Sequence, residues 1–363
     1  MRLFQNLGIS LAYRRRLALL MQGRESFIDR LSVFLQDRYG ASHLLKPVLD
    51  HDSSAFLTYG NAVGLQQAWA REHGLPRTTD AAKILLAQIE EHRADVFYNL
   101  DPLRFDSSFV RRLPSCVKKS ICWRSAPSPG ANFGAYDLVV CNFPIFMDMW
   151  RALGFRTAYF VPAHDPRMDD FVGADERRID VSFVGVYSRH HVGRAQVLEV
   201  IARECANYNI VFCLDRSRLT RLAESPAGLV PPLKRYRRPS AIRRVSSEPV
   251  FGLDLYKTIG NSKIVLNGAG EIAGPDRGNM RCFEALGCGA LMVSDSGHYP
   301  DGFVSGENML TYDTPKEAAR LIARALDEWP SAESIASKGY EMVRTRYSKE
   351  SQWRSFLGLV DAL

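Results

Sequence analysis

Phe27, Leu31, Phe34 and Leu35 recur at the spacing of one helical face, so residues 23–45 read as a helix with a stop near Gly40. A second amphipathic run, Ala81 to His92, follows Thr79 and Asp80, where an aspartate can accept the unpaired amides of a first helical turn. Directly behind it Asp95 to Tyr98 is short and reads as a buried strand. The same holds for 117–123, 137–141 and 157–161, each closed by Pro, Gly or Asn. Short apolar runs that alternate with helices predict strands buried on both faces, and hence a parallel sheet.

The rhythm breaks between Pro162 and Arg178, where PAHDPRMDDFVGADERR is polar and carries prolines and a glycine, the composition of an exposed connection. It then resumes. Strands are expected at 180–184, 209–214, 263–267 and 290–294, with helices at 192–207, 253–260, 279–286 and over most of 315–361. A long basic, proline-bearing stretch separates the second of these strands from Pro249. A chain of 363 residues exceeds what one core usually holds. The expected organisation is an N-terminal acceptor domain at 1–165, a linker at 166–178, a C-terminal donor domain at 179–345, and a helix at 346–363 that packs back toward the first domain. The expected fold class is α/β, two Rossmann-like doubly wound domains facing each other across a cleft. Such sheets take ligands at the carboxyl ends of their strands.

Composition narrows the setting. The basic cluster Arg14-Arg15-Arg16 interrupts the apolar N-terminal stretch, so neither a signal peptide nor a membrane span is expected there, and a cytoplasmic location follows. Seven cysteines without any CxxC spacing predict a reducing compartment and no structural metal. A net charge of +7 suits an anionic partner, but does not separate nucleic acid, lipid headgroups and nucleotide diphosphates. The basic residues Lys234, Arg235, Arg237, Arg238, Arg243 and Arg244 have Tyr236 as their only aromatic, too little for base stacking. No nucleic-acid partner is expected. The stretch reads either as a contact for an anionic membrane or polyanionic acceptor, or as a solvated loop.

The chemistry concentrates in SKIVLNGAGEIAGPDRGNMRCFEALGCGALMVSD, which begins at Ser262. There a strand ends in a loop with Gly268, Gly270, Gly274 and Gly278 that runs into a helix. A helix start offers unpaired amides to a phosphate, and Arg277 and Arg281 flank this one. The glycines alone also fit a loop with no ligand. A second loop follows the strand ending in Val184-Gly185, and carries Arg189 and Arg194. His190-His191 reads as loop polarity, since adjacent side chains diverge and no third ligand lies near. Asp50-His51-Asp52 has a metal-binding form but sits among turn residues. His164 and Asp165 fix a turn or face the linker. Asn99 and Asp101 end a strand, where acceptor contacts or a general base belong, and the residues do not choose between them.

Two acids eight positions apart, Asp276 and Glu284, bracket the loop-to-helix step, ahead of AlaLeuGlyCysGlyAla and the strand LeuMetValSer. This pattern resembles the C-terminal domain of GT-B glycosyltransferases, closest to the CgeB-type spore-maturation group and more distantly the retaining glycogen-synthase-like enzymes. The first acid is Asp where that pattern has Glu. The resemblance continues through PheValSerGlyGluAsnMetLeuThrTyrAsp (303–313) and the last helices. It implies that Glu284 holds the nucleotide ribose, and that Gly278, Asn279, Arg277, Gly185, Arg194 and Tyr256 complete the donor site. Arg281, Arg189 and Asp276 would then serve catalysis. The implied activity is transfer of a sugar from a nucleotide-diphosphate donor to a glycan or lipid-linked acceptor in bacterial cell-surface polysaccharide synthesis, without metal or cofactor. The implied location is cytoplasmic, with peripheral attachment to the inner membrane face. A non-catalytic GT-B-like glycan- or partner-binding protein is the alternative.

Overall fold

The apolar runs become strands, and each alternates with a helix that covers one sheet face. The structure, a computed structural model, describes residues 1–173, 176–188, 191–229, 233–268 and 271–363. The chain divides into one unit of Met1–Ala163 with Tyr347–Leu363, and a second of His164–Arg346.

The first unit holds β1 (Leu3–Leu7), β2 (Ala55–Tyr59), β3 (Val96–Asn99), β4 (Lys119–Trp123), β5 (Leu138–Cys141) and β6 (Thr157–Tyr159). They form one parallel sheet in the order β2-β1-β3-β4-β5-β6, so the strand order reverses between β1 and β3. The helix Ala81–His92 starts where expected, with the Asp80 side chain accepting from the Lys83 amide. The expected helix at 23–45 is shorter, Phe27–Asp37. Ser26 caps it, and it stops where Arg38 turns left-handed at φ 59°.

Strand β1 has no counterpart in the periodicity reading, because Gln5 and Asn6 interrupt its apolar pattern although every residue of it is buried. Their polar groups are satisfied by partners far along the chain. Gln5 Nε2 donates to the His43 carbonyl at 2.8 Å, and Asn6 Nδ2 donates to Asn99 Oδ1 at 2.8 Å. The last helix, Lys349–Asp361, belongs to this unit. Its buried Lys349 donates through Nζ to the carbonyls of Ala41, Ser42 and Leu44 at 2.8, 3.2 and 2.8 Å.

The second unit holds β7 (Ile179–Val186), β8 (Ile210–Asp215), β9 (Ser246–Ser247), β10 (Ser262–Leu266), β11 (Leu291–Asp295) and β12 (Leu310–Tyr312). The parallel order β12-β11-β10-β7-β8-β9 is that of a dinucleotide-binding sheet and reverses between β7 and β10. Phe183, Phe212, Ile264, Leu291 and Val293 fill its core with Leu198, Ile201 and Ile322 from the covering helices.

Residues 164–173 differ from the exposed connection that their composition predicts. Met168 is fully buried, and the Phe171 ring meets Tyr256 edge-on at 6.3 Å, so this segment is anchored within the second unit. The 215–249 stretch is likewise more structured than its prolines suggest, with helices Arg218–Glu224 and Ser240–Val245 ahead of β9. Among the described residues, no helix is long and apolar enough to cross a membrane.

Candidate active site

A doubly wound sheet leaves a crevice outside the carboxyl ends of the two strands where its order reverses. In the second unit those ends are Val186 of β7 and Leu266 of β10, which open into the two loops singled out by sequence. Arg189, His190 and Gly270 lie outside the described residues.

Asn267, directly after β10, is buried and organises the loop. Its Nδ2 donates to Ser294 Oγ at 3.1 Å, its Oδ1 accepts from Asn279 Nδ2 at 3.2 Å, and its carbonyl accepts from the Tyr312 hydroxyl at 3.2 Å. Asn279 begins the helix Met280–Gly287, yet its side chain is turned to Asn267 and does not cap the helix. The Cys282 amide donates to the Asn279 carbonyl at 3.0 Å, so the amides of Met280 and Arg281 are the ones that face whatever approaches from the loop. Gly278 sits just before this start at φ 121°, a backbone conformation that a residue with a Cβ rarely adopts.

On the first turns of the helix, Arg281 Nη1 donates to Glu284 Oε2 at 2.7 Å. Their side chains are 18% and 7% exposed, so a charged pair is held nearly out of water, one helical turn from the loop. Asp276 is also buried. Its Oδ1 faces His298 Nδ1 at 3.6 Å, and the Arg277 amide and His298 carbonyl pair the two loops at 2.8 Å. A Cβ on Gly297 would stand 2.4 Å from the Pro275 carbonyl, so the close seating of the loop after β11 requires glycine there.

The other expected donor residues divide. Arg277 is a brace, pairing with Asp295 Oδ2 at 2.8 Å and donating to the Gly274 and Asp276 carbonyls at 2.8 and 3.0 Å. Arg194, on the helix Val192–Glu204, reaches the loop after β10 and donates to the Gly268 carbonyl at 3.0 Å. Gly185 lies near the end of β7, with the Phe183 ring 2.9 Å from where a Cβ would stand. Tyr256, on the helix Gly252–Gly260, is buried at 1% exposure. Burial, then the nearby carboxylates Asp165 and Glu284, push its hydroxyl far above the ordinary tyrosine range. Burial also pushes the Cys282 thiol up to about 12, which leaves it protonated and inert.

Asn267 and Asp295 went unnoticed in the sequence reading. Each is a polar residue at or just past the end of an apolar strand, and that position at the carboxyl edge of a parallel sheet was the available signal.

The corresponding edge of the first unit carries Asn99 and Asp101. Asn99 is saturated: Nδ2 donates to Tyr136 Oη at 2.6 Å and to the Phe105 carbonyl at 3.2 Å, and Oδ1 accepts from Asn6 and from the Asp101 amide. Burial raises the Asp101 carboxyl above its ordinary range, against the opposing effect of Arg104 at 3.4 Å. Gly8 lies so close that a Cβ there would stand 2.9 Å from Asp101 Oδ2.

The other candidates have local partners. Asp50 pairs with Lys46 at 2.5 Å, Asp52 accepts from the Ser54 amide, and His164 Nε2 meets Asp169 at 2.8 Å. Among the described residues no group of three His, Cys, Asp or Glu side chains could hold a metal. Much of the basic stretch is structural. Arg238, 5% exposed, donates to Glu224 at 2.5 and 2.9 Å, while Arg237 and Arg244 donate to the Ala223 and Ala202 carbonyls at 2.7 and 2.8 Å. The evenly basic face that its composition suggests is therefore not presented.

Two parallel doubly wound sheets with these strand orders make up the fold of the GT-B glycosyltransferases. Residues 215–358 match the family described as Glycosyl transferase-like, a span that contains the loop after β10 and the helix Met280–Gly287. No curated protein matches the sequence. Similar solved structures include HepE from Anabaena in complex with UDP and glucose, at 15% identity, with all of both chains covered and a TM-score of 0.59. The same protein in complex with UDP-glucose gives 12% and 0.58, again with all of both chains covered. Sucrose-phosphate synthase from Thermosynechococcus elongatus gives 11% identity and a TM-score of 0.58 over all of this chain and 99% of that one.

Proposed function

We propose that this chain is a glycosyltransferase that takes its sugar from a nucleotide-diphosphate donor bound in the second unit, at the carboxyl ends of β7 and β10. The carrying observation is the nearly buried Arg281–Glu284 pair on the helix that follows Gly278, at the reversal of the strand order and within the span matched to glycosyltransferases. Glu284 accepts hydrogen bonds from the ribose, and the helix start with Arg281 faces the diphosphate. Negative charge grows on that group as the glycosidic bond breaks, so fixed donors there favour the transition state over the ground state. Similar folds solved with UDP and UDP-glucose support a nucleotide-sugar donor.

The finer parts of the reading are an acceptor of glycan or lipid-linked type held by the first unit, a role in cell-surface polysaccharide synthesis on the cytoplasmic side, kinship with the CgeB-type group, and transfer without a metal. The test is calorimetry and thermal shift with UDP-, GDP-, ADP- and dTDP-sugars, with and without EDTA. At least one donor is expected to bind and raise the melting temperature in EDTA. Silence across the panel would refute the donor site, and binding only with a divalent ion would refute metal independence. The commitment of Arg277 and Arg194 to loop contacts favours a second reading, a binding protein that retains the scaffold without transferring. Saturable donor binding with neither transfer nor donor hydrolysis would select it.

A further inference from the structure

The cluster Arg14-Arg15-Arg16 does not act as a unit once folded. The helix Arg14–Leu20 directs Arg16 inward, where its Nη2 meets Asp37 Oδ1 at 2.5 Å and the Tyr13 hydroxyl donates to Asp37 Oδ2 at 2.8 Å. Leu17 is buried on the same side. The outward face then reads Leu11, Arg14, Arg15, Ala18, Leu19 and Gln22, all exposed, at helical spacing. Leu11 is 77% and Leu19 64% exposed. The side chains of Arg14 and Arg15 make no hydrogen bond or ion pair among the described residues, unlike Arg237, Arg238 and Arg244.

Along one edge of this face runs a mostly apolar groove of about 280 Å³, lined by Ile9, Arg14, Leu17, Met21, Arg30 and Val63. Val63 is itself 69% exposed, and Arg30 is tied by Nη1 to the Gly64 carbonyl at 3.0 Å. Exposed leucines scattered singly would need no explanation. Here they interleave with two uncommitted guanidiniums, and Arg14 and Ala18 of the same face line a groove fit for a short length of one hydrocarbon chain. Cationic heads at the level of phosphates with apolar side chains reaching past them is the chemistry of an interfacial helix.

We propose that this face docks the protein on an anionic phospholipid bilayer, with Arg14 and Arg15 on headgroup phosphates, Leu11 and Leu19 among the upper acyl carbons, and the groove receiving part of one chain. The inference goes beyond the donor reading and does not depend on it, because every residue named lies in the first unit. It also moves the expected membrane contact away from residues 234–244.

The test is co-sedimentation of the full chain with vesicles of phosphatidylcholine alone or mixed 7:3 with phosphatidylglycerol. Binding to the mixed vesicles is expected, to fall about 30-fold in the pair Arg14→Gln/Arg15→Gln, at the usual worth of a basic residue near such a surface. It should fall also in Leu11→Ser/Leu19→Ser, and should stay unchanged in the control Lys234→Gln/Arg235→Gln. Inorganic phosphate at constant ionic strength should not displace the protein; displacement would mean a simple anion site and overturn the proposal. Equal binding to both vesicle types, or undiminished binding of the Arg14/Arg15 pair, would overturn it as well. All substituted side chains are exposed, so unchanged melting temperatures are expected and would show that a loss is not unfolding.

Discussion

Replacing Glu284 by Gln keeps the shape of the side chain and removes its charge, and two readings of the Arg281–Glu284 pair then predict opposite signs. If Glu284 holds the ribose, it loses a charge-assisted hydrogen bond worth about 1–3 kcal/mol, so UDP or the cognate nucleotide binds roughly 5- to 150-fold more weakly. If the pair only fastens the helix, neutralising a carboxylate beside the place where a diphosphate docks removes a repulsion, and binding holds or tightens. Stability falls in either case. The 2.7 Å bond to Arg281 becomes charged-to-neutral at a site where the side chains are 18% and 7% exposed, a cost of about 1–2 kcal/mol. The assay is calorimetry with the nucleoside diphosphate that the donor panel selects, on protein whose circular dichroism and melting show it folded. Arg281→Lys serves as companion: it keeps the charge but loses the planar fork, so its larger effect falls on turnover. A lowered melting temperature with unchanged or improved affinity in Glu284→Gln would refute the ribose assignment.

Three further outcomes follow from buried charges. Burial, and then Lys349, hold the His43 imidazole down at about 3, against an ordinary 6.5. Its folded pKa lies below the unfolded one, so its stabilisation is full above pH 6.5 and lost as pH falls toward 3, about 2 kcal/mol by pH 5. Urea unfolding of His43→Gln should lack that part of the slope between pH 7 and 5, and an identical slope would show another group responsible. The Asp101 carboxyl is raised by burial, so its stabilisation is present below the unfolded value and lost as pH rises through the folded one. Asp101→Asn should therefore melt higher than wild type at pH 7 and lose that advantage near pH 4, and a lower melting temperature at pH 7 would contradict this. Arg238→Met removes the 2.5 Å partner of Glu224 but leaves Arg216 at 3.7 Å, so it should cost about 2 kcal/mol, whereas Lys234→Gln should be neutral. Thermal melts that rank these two the other way would return the stretch to a free basic face.

What the sequence made legible was local. Asp80 is read as a cap because it needs only the three residues after it, and the strands at 96–99, 119–123 and 262–266 are read because their polar residues stand at one end of an unbroken apolar run. Strand β1 escaped because Gln5 and Asn6 are satisfied by His43 and Asn99, partners far along the chain that no window contains. The same limit governed the site. The helix start at Gly278 and Asn279 was legible from glycine placement and periodicity. That Arg281 meets Glu284 follows from helical spacing, whereas nothing local says that Arg277 turns to Asp295. Burial of Tyr256 and internal pairing of Arg238 depend on tertiary packing, which composition does not encode.

The helix Lys349–Asp361 belongs to a unit whose other strands all precede residue 160, so the second unit is written into the middle of the first. During synthesis at about 5–20 residues per second, roughly 10–40 s separate emergence of β6 from that of the helix. Throughout that interval the carbonyls of Ala41, Ser42 and Leu44 wait for the Lys349 ammonium, while the second unit acquires everything it needs. The second unit is therefore expected to complete its fold before the first, against the usual order of N-terminal domain first. Nascent chains arrested once residue 346 is clear of the ribosome should resist protease over the second unit and be cut in the first, and equal protection of both would contradict this order.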